Sequence, residues 1–309
     1  MHSLSILIKN KAKELGFDAC GIAEVASADT EVLFFDRWIA EGCHAGMKYM
    51  ENYRDIRLNP AGLVEGARSV ISVALNYYPA QKQFPGSPRI SYYAYGKDYH
   101  IVVKDKLRQL WEYITALIPV LDSTLPAARF FTDSAPILER YWAWKAGLGW
   151  IGKNTNLIIP GKGSFFFLGE IVTTLELDYD TPQKNRCGAC RRCLDACPTG
   201  ALERPGHLNA NKCISYLTIE HKGDIPSEQA SRLGDRLYGC DTCQEVCPWN
   251  RFASPTREVA FSPSPAFLSL KKEDLRCFTR DDYNRIFAGS AVKRAKYEGL
   301  IRTINNKKE

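Results

Sequence analysis

The sequence predicts a mixed α/β (α+β) front, then a small cysteine-rich module, then a helical tail. Three observations carry this reading. Amphipathic helical stretches alternate with short apolar runs up to about residue 178. Eight of the 11 cysteines then crowd between Cys187 and Cys247. Past Trp249 the chain turns loop-like and proline-rich before a few short helical stretches. The expected division is 1–178, 179–252 and 253–309, with the last part packing on the first. A length of 309 residues with 45% hydrophobic and 25% charged composition suits a globular chain of two or three subdomains.

The front reads in order. Leu4, Leu7, Ile8, Ala12 and Leu15 lie at helical spacing and stop at Gly16. A second helix is expected over about Thr30–Ala40, before Gly42. Gly46–Pro60 is aromatic and basic together. Residues 69–77 form a buried strand, and Pro79–Pro88 a loop. Tyr92–His100 leads into a long helix with Leu107, Leu110, Trp111, Ile114, Leu117 and Ile118 on its apolar face. Ala128–Thr132 is a short strand, and Pro136 opens a helix through Trp144. Asn156–Ile159 and Phe165–Leu177 are further strands. In the tail, short helices are expected near 272 and 281, and a basic one over about 291–305.

The cysteine module is the most specific feature. Its first run, Cys187-x2-Cys190-x2-Cys193-x3-Cys197-Pro198, is the bacterial ferredoxin spacing, in which the fourth thiolate serves the other cluster. A second run, Cys240-x2-Cys243-x3-Cys247-Pro248, lacks one cysteine, and Cys213 can stand in. Crossed ligation then places one 4Fe–4S cluster on Cys187, Cys190, Cys193 and Cys247. The other falls on Cys197, Cys213, Cys240 and Cys243. Structural zinc draws on separated Cys-x2-Cys knuckles, and a disulfide framework belongs to short secreted chains. Both readings fit less well. Cys20, Cys43 and Cys277 are expected to be buried thiols.

Charge and targeting signals are modest. The net charge of +6 is mild, yet basic residues bunch at Arg191–Arg192, Lys271–Lys272, Lys293, Arg294, Lys296 and Lys307–Lys308. The N-terminal apolar run is too short for a signal peptide, and no stretch approaches a membrane span. A cytoplasmic location is expected.

Other motifs invite plain explanations. Gly147-Leu-Gly149-Trp-Ile-Gly152 matches G-x-G-x-x-G, but it follows a helix and leads toward a strand, which excludes the dinucleotide fingerprint. A helix C-terminus with a glycine-rich turn is expected there. Asp133 or Ser134 reads as an N-cap ahead of Pro136. His44 and His100 read as structural. No Asp-x-His-x-x-Gly motif is present to mark a histidine for cobalt.

Five stretches together resemble a known family. They are Gly46–Pro60, Tyr95-Gly-Lys-Asp-Tyr-His100, Asp133–Arg140 with Gly147–Asn156, Phe166-Phe-Leu-Gly-Glu170, and the cysteine region with Cys213–Glu220. The chain resembles the epoxyqueuosine reductases, cobalamin-dependent iron–sulfur enzymes of tRNA queuosine maturation, up to about residue 252. The resemblance implies a nitroreductase-like cobalamin-binding catalytic domain followed by a ferredoxin-like domain, with cobalamin held base-off and no protein histidine on cobalt. It implies that Asp133 donates the proton. It also implies that Arg57, Gly96, Asp98, Asp133, Lys153, Asn154, Thr155, Asn156 and Ser215 lie in corrin-contacting segments. Asp133 is expected to be buried above the corrin, which would keep it protonated near neutrality. The implied partners are the tRNA anticodon stem-loop bearing epoxyqueuosine and an external electron donor, with the protein monomeric. His221, Lys222 and the basic tail are candidates for phosphate contact. Two other readings compete: a reductive dehalogenase-like corrinoid enzyme, and a plain ferredoxin-type electron carrier.

Overall fold

A computed structural model of the chain describes residues 3–118 and 126–306. In the front part the elements run α1 (Leu4–Glu14), β1 (Ala19–Glu24), α2 (Asp29–Ala40), α3 (Arg54–Leu58), β2 (Ser69–Asn76), β3 (Arg89–Ile90), α4 (Tyr99–Leu117), β4 (Ala128–Phe131), α5 (Glu139–Lys145), β5 (Trp150–Ile151), β6 (Leu157–Ile158) and β7 (Phe166–Thr173). Four of the strands form one sheet in the order β1-β2-β7-β4, with every neighbouring pair antiparallel.

The central strands are apolar on both faces, because helices cover both sides. Along β2, Ile71, Val73 and Leu75 join one core with Leu107, Leu110 and Ile114 of α4. The alternate residues Val70 and Ala74 join a second core with Tyr141 and Trp142 of α5. This period of two is what an extended backbone imposes. At Gly169 of β7 an added Cβ would stand 2.8 Å from Val103, so α4 lies directly on the sheet.

The cysteine module is stitched to this front. Its strand Arg236–Tyr238 pairs in parallel with β3. Short helices Arg192–Asp195 and Thr242–Glu245 lie within the two cysteine runs, and a hairpin joins Leu202–Arg204 to His207–Leu208. In the tail, Phe261, Phe267, Phe287, Val292 and Leu300 are buried in the same core as Tyr99 and Phe167.

Several expectations are corrected. The helix assigned from Pro136 starts at Glu139, so neither Asp133 nor Ser134 caps it. Glu139 instead accepts a hydrogen bond from the Asp133 backbone N–H, which holds 133–138 as a loop. The expected 291–305 helix is a 3-10 turn and a helix (Lys296–Asn305) meeting at Lys296, whose φ of +59° breaks the run. The strand expected to reach Leu177 ends at Thr173. The strand β1 was not foreseen. Cys277 is exposed and Cys20 only half-buried, while Cys43 is buried as expected. Lys307 and Lys308 lie outside the described residues. No helix among the described residues is long and apolar enough to cross a membrane.

Candidate active site

A cavity of about 320 Å³ opens between the β7 side of the front and the cysteine module. Aromatic rings, Tyr77, Tyr93, Phe166 and Phe167, form its front wall. Cys197, Cys213, Cys240 and Cys243 of the cysteine module also line it. Asp133, Asn154, Thr155, Asn156 and Ser215 complete the lining named by the sequence.

Asp133 sits at the end of β4 with φ of +52°, a left-handed conformation disfavoured for a residue with a Cβ. Three neighbours hold it there. The Tyr99 hydroxyl donates a short hydrogen bond to Oδ2. Glu139 accepts from its backbone N–H. His100 Nε2 lies 3.7 Å from Oδ2. Asp98 orients that imidazole, with Oδ1 2.7 Å from Nδ1 and accepting the His100 backbone N–H at 3.0 Å. Tyr99 is clamped flat on Phe167, with ring centroids 4.2 Å apart. Burial, then the Asp133 charge, pushes the Tyr99 hydroxyl far up, so it stays a donor. Against expectation, the Asp133 side chain is 63% exposed, because the left-handed backbone turns it into the open cavity.

Behind Asp133 lies a carboxyl pair, Glu139 half-buried and Glu170 wholly buried. Burial first, then the Asp133 charge, pushes Glu139 up to about 8. Glu170 is wholly buried on β7, and burial followed by the Glu139 charge raises it well above the usual range. Neither Glu170 oxygen has a partner that is a donor in its own right. Two carboxyls in contact at such a place hold a proton between them.

The cysteines fall into two neighbourhoods. Burial raises Cys193, and the charges of Cys247 and Cys187 add to it. Cys247 is raised by burial and also feels Cys187 and Cys190. Cys243 is raised well above a free thiol by burial, with Cys213, Cys240 and Cys197 adding to it. Such mutually destabilised thiolates want a cation, and the soft sulfur set matches iron.

The other expected contacts divide. Lys153 does not line the cavity; its Nζ donates to the carbonyls of Gly188 at 2.6 Å and Cys190 at 2.8 Å. Asn154 donates to the Cys243 carbonyl at 3.1 Å. The 153–156 segment therefore braces both cysteine loops. Gly96 packs on the tail: a Cβ there would stand 2.5 Å from the Ala260 carbonyl oxygen. Asp98 caps α4 and orients His100, acting one residue away from the cavity. Arg57 is buried and donates to the Tyr49 carbonyl at 3.1 Å. Burial, then the charge of Glu220, raises the half-exposed Tyr49 hydroxyl, which also feels Arg294, Asp133 and Arg57. Arg294 forms a two-pronged pair with Glu220 at 2.8 and 3.0 Å. His221 donates from Nε2 to the Asp224 carbonyl.

Sequence reasoning missed Tyr99, His100, Glu139 and Glu170 as site residues. All lie inside quoted family stretches, which was the available signal. Their roles depend on four elements meeting at one point.

Comparisons with known proteins agree with this arrangement. Residues 186–250 match the 4Fe-4S double cluster binding domain, and residues 57–134 match the model described as epoxyqueuosine reductase QueG, DUF1730. The epoxyqueuosine reductase of Cellulophaga algicola is 48% identical over 97% of this chain and 97% of its own length. That of Escherichia coli is 38% identical over 98% of this chain and 80% of its own. A crystal structure of epoxyqueuosine reductase with an epoxyqueuosine-modified tRNA stem loop superimposes with a TM-score of 0.85 at 30% identity, covering 98% of this chain and 79% of that one. The Bacillus subtilis enzyme, solved with its catalytic aspartate loop swung out of the active site, superimposes with a TM-score of 0.83 at 30% identity, over 98% of this chain and 79% of that one. On this identity and coverage, the chain belongs to the epoxyqueuosine reductase family.

Proposed function

We propose that this chain reduces epoxyqueuosine to queuosine at the wobble position of tRNA. The observation that carries the reading is one cavity lined both by four cluster-type cysteines and by Asp133 and Tyr99, with His100 beside Asp133. A plain electron carrier has no need of that second group. The reaction takes two electrons and two protons, opens the epoxide, leaves a carbon–carbon double bond and releases water.

In this reading residues 1–178 hold the corrinoid and the acid, 179–252 carry the clusters, and 253–309 buttress the front. The first cysteine set would hold a cluster able to accept electrons from an external donor, and the second, lining the cavity, one able to pass them on. Cobalamin, when bound in the cavity, would supply the low-potential reducing chemistry. The cavity suits such a group, since its aromatic wall can support a flat macrocycle and Asn154, Thr155, Asn156 and Ser215 can hydrogen-bond peripheral amides.

Asp133 gives a proton to the epoxide oxygen as the ring opens. Tyr99 holds Oδ2 in place, and His100, oriented by Asp98, stands where it can return the proton. Glu139 is a positioning residue, fixing the strained Asp133 backbone through its N–H. A left-handed Asp133 loop is suited to swinging between a closed and an open placement. The tRNA enters at the mouth, where Tyr49 offers an exposed ring for base stacking and nearby basic groups offer phosphate contacts. A tRNA substrate places the work in the cytoplasm.

The test is anaerobic incubation of the holoprotein with epoxyqueuosine-bearing tRNA and a strong reductant, followed by mass analysis of the nucleoside. Loss of one oxygen only when cobalamin is present supports the reading. An unchanged nucleoside with fully loaded protein overturns it.

A further inference from the structure

Outside the cavity, three metal-ligating side chains from separate stretches meet at one point: Glu41, Cys43 and His207. We propose that they form a divalent cation site, suited first to zinc, that clips the front part to the hairpin of the cysteine module.

The geometry is that of a donor triangle. Cys43 Sγ lies 3.5 Å from His207 Nε2. Glu41 Oε2 lies 3.6 Å from the same nitrogen and 3.9 Å from the sulfur. A tetrahedral zinc with ordinary bond lengths holds sulfur and nitrogen about 3.5 Å apart, nitrogen and oxygen about 3.3 Å, and sulfur and oxygen about 3.5 Å. One edge already matches, and the other two close with a shift of a few tenths of an ångström. Glu203 Oε2 lies 3.6 Å from His207 Nε2, outside the three-donor triangle, which leaves the fourth position to water. The other Glu203 oxygen is held by Lys212 at 2.7 Å and Asn209 at 3.1 Å.

Burial and charge favour the same conclusion. His207 is 2% exposed, and its Nδ1 has no partner, so the ring's polar engagement is with this cluster. Burial, then the charges of Glu41 and Glu203, push the Cys43 thiol up. Two carboxylates near a buried thiol disfavour its thiolate; a cation reverses the sign of that interaction. One thiolate, one imidazole and one carboxylate oxygen form a borderline donor set typical of zinc. Glu41 is 40% exposed, which leaves a route in.

The position has a consequence for the cavity. Cys43 and Glu41 follow α2, and His207 lies on the hairpin beside Leu208. Direct bonds already link the two: Trp38 to the Leu208 carbonyl at 2.7 Å, and the Ala210 N–H to the Cys43 carbonyl at 2.8 Å. Leu202 and Leu208 of that hairpin line the cavity. A cation here stiffens the cavity wall without touching the reacting groups.

The experiment uses holoprotein carrying both clusters and corrinoid, dialysed against zinc and then a mild chelator. Zinc, iron and cobalt are counted separately, and zinc-edge absorption reads the number of sulfur neighbours. Wild type should retain one zinc per chain with a single sulfur neighbour. Cys43→Ser and the surface variant Glu41→Gln should each lower zinc affinity at least tenfold with iron unchanged. Retention that these variants do not alter overturns the proposal. So does a shell of several sulfurs, which would place the zinc in cluster loops, or a wild type that retains none.

Discussion

Asp133 is a residue whose chemistry is set by what other elements bring to it. Its carboxylate meets a phenol and an imidazole, and its backbone is tied to a carboxyl. Asp133→Asn should lower turnover about 10²–10⁴-fold, the range of a lost proton donor, with cluster and corrinoid absorption unchanged. Single-turnover assays beside absorption spectra check this. The Glu139–Glu170 pair makes a separate prediction. Burial raises both in the fold, Glu139 to about 8 and Glu170 well above the usual carboxylate range, against about 4.3 when unfolded. Between those values the folded chain binds more protons than the unfolded one, so stability falls as pH rises through that window. A tenfold difference in proton affinity is worth about 1.4 kcal/mol. Glu170→Gln should flatten the slope and raise the melting temperature at alkaline pH relative to wild type. Melting curves across the window decide it.

At the scale of elements, the glycines of 147–152 have a packing reason. Gly147 ends α5 at φ of +77°. A Cβ at Gly149 would stand 2.1 Å from the Ile158 carbonyl oxygen, across the β5–β6 hairpin. Gly149→Ala should cost about 1–3 kcal/mol and loosen residues 153–156. Denaturation measures the first, and easier iron loss measures the second, since Lys153 and Asn154 brace both cysteine loops. Long apolar stretches such as α4, β2 and β7 were legible because their periodicity is local. The strand β1 was not, because Ala19–Glu24 is poor in β-branched residues and becomes a strand by pairing with β2. The start of α5 was misplaced because a side chain three residues past Pro136 captures the upstream N–H.

At the scale of the molecule, the proposed crossed cysteine sets would tie the two halves of the module together. Cys247→Ser and Cys213→Ser should each lower iron content by about one cubane, and only Cys213→Ser should perturb the corrinoid spectrum, because Cys213 lines the cavity and Cys247 does not. Iron analysis and absorption spectra test both. The sequence alone pointed to a double 4Fe–4S module, because two cysteine runs with spacings of two and three residues are a local signature. Asp133 and the 153–156 segment were marked by the family resemblance, since from spacing alone Asp133 reads as a helix cap. Only the tertiary structure decided what surrounds them. Tyr99 and His100 come from α4, Glu139 from α5 and Glu170 from β7, and no local pattern states that these ends converge. That convergence follows from the antiparallel pairing of β4 with β7 and the packing of α4 on the sheet, which are properties of the whole core.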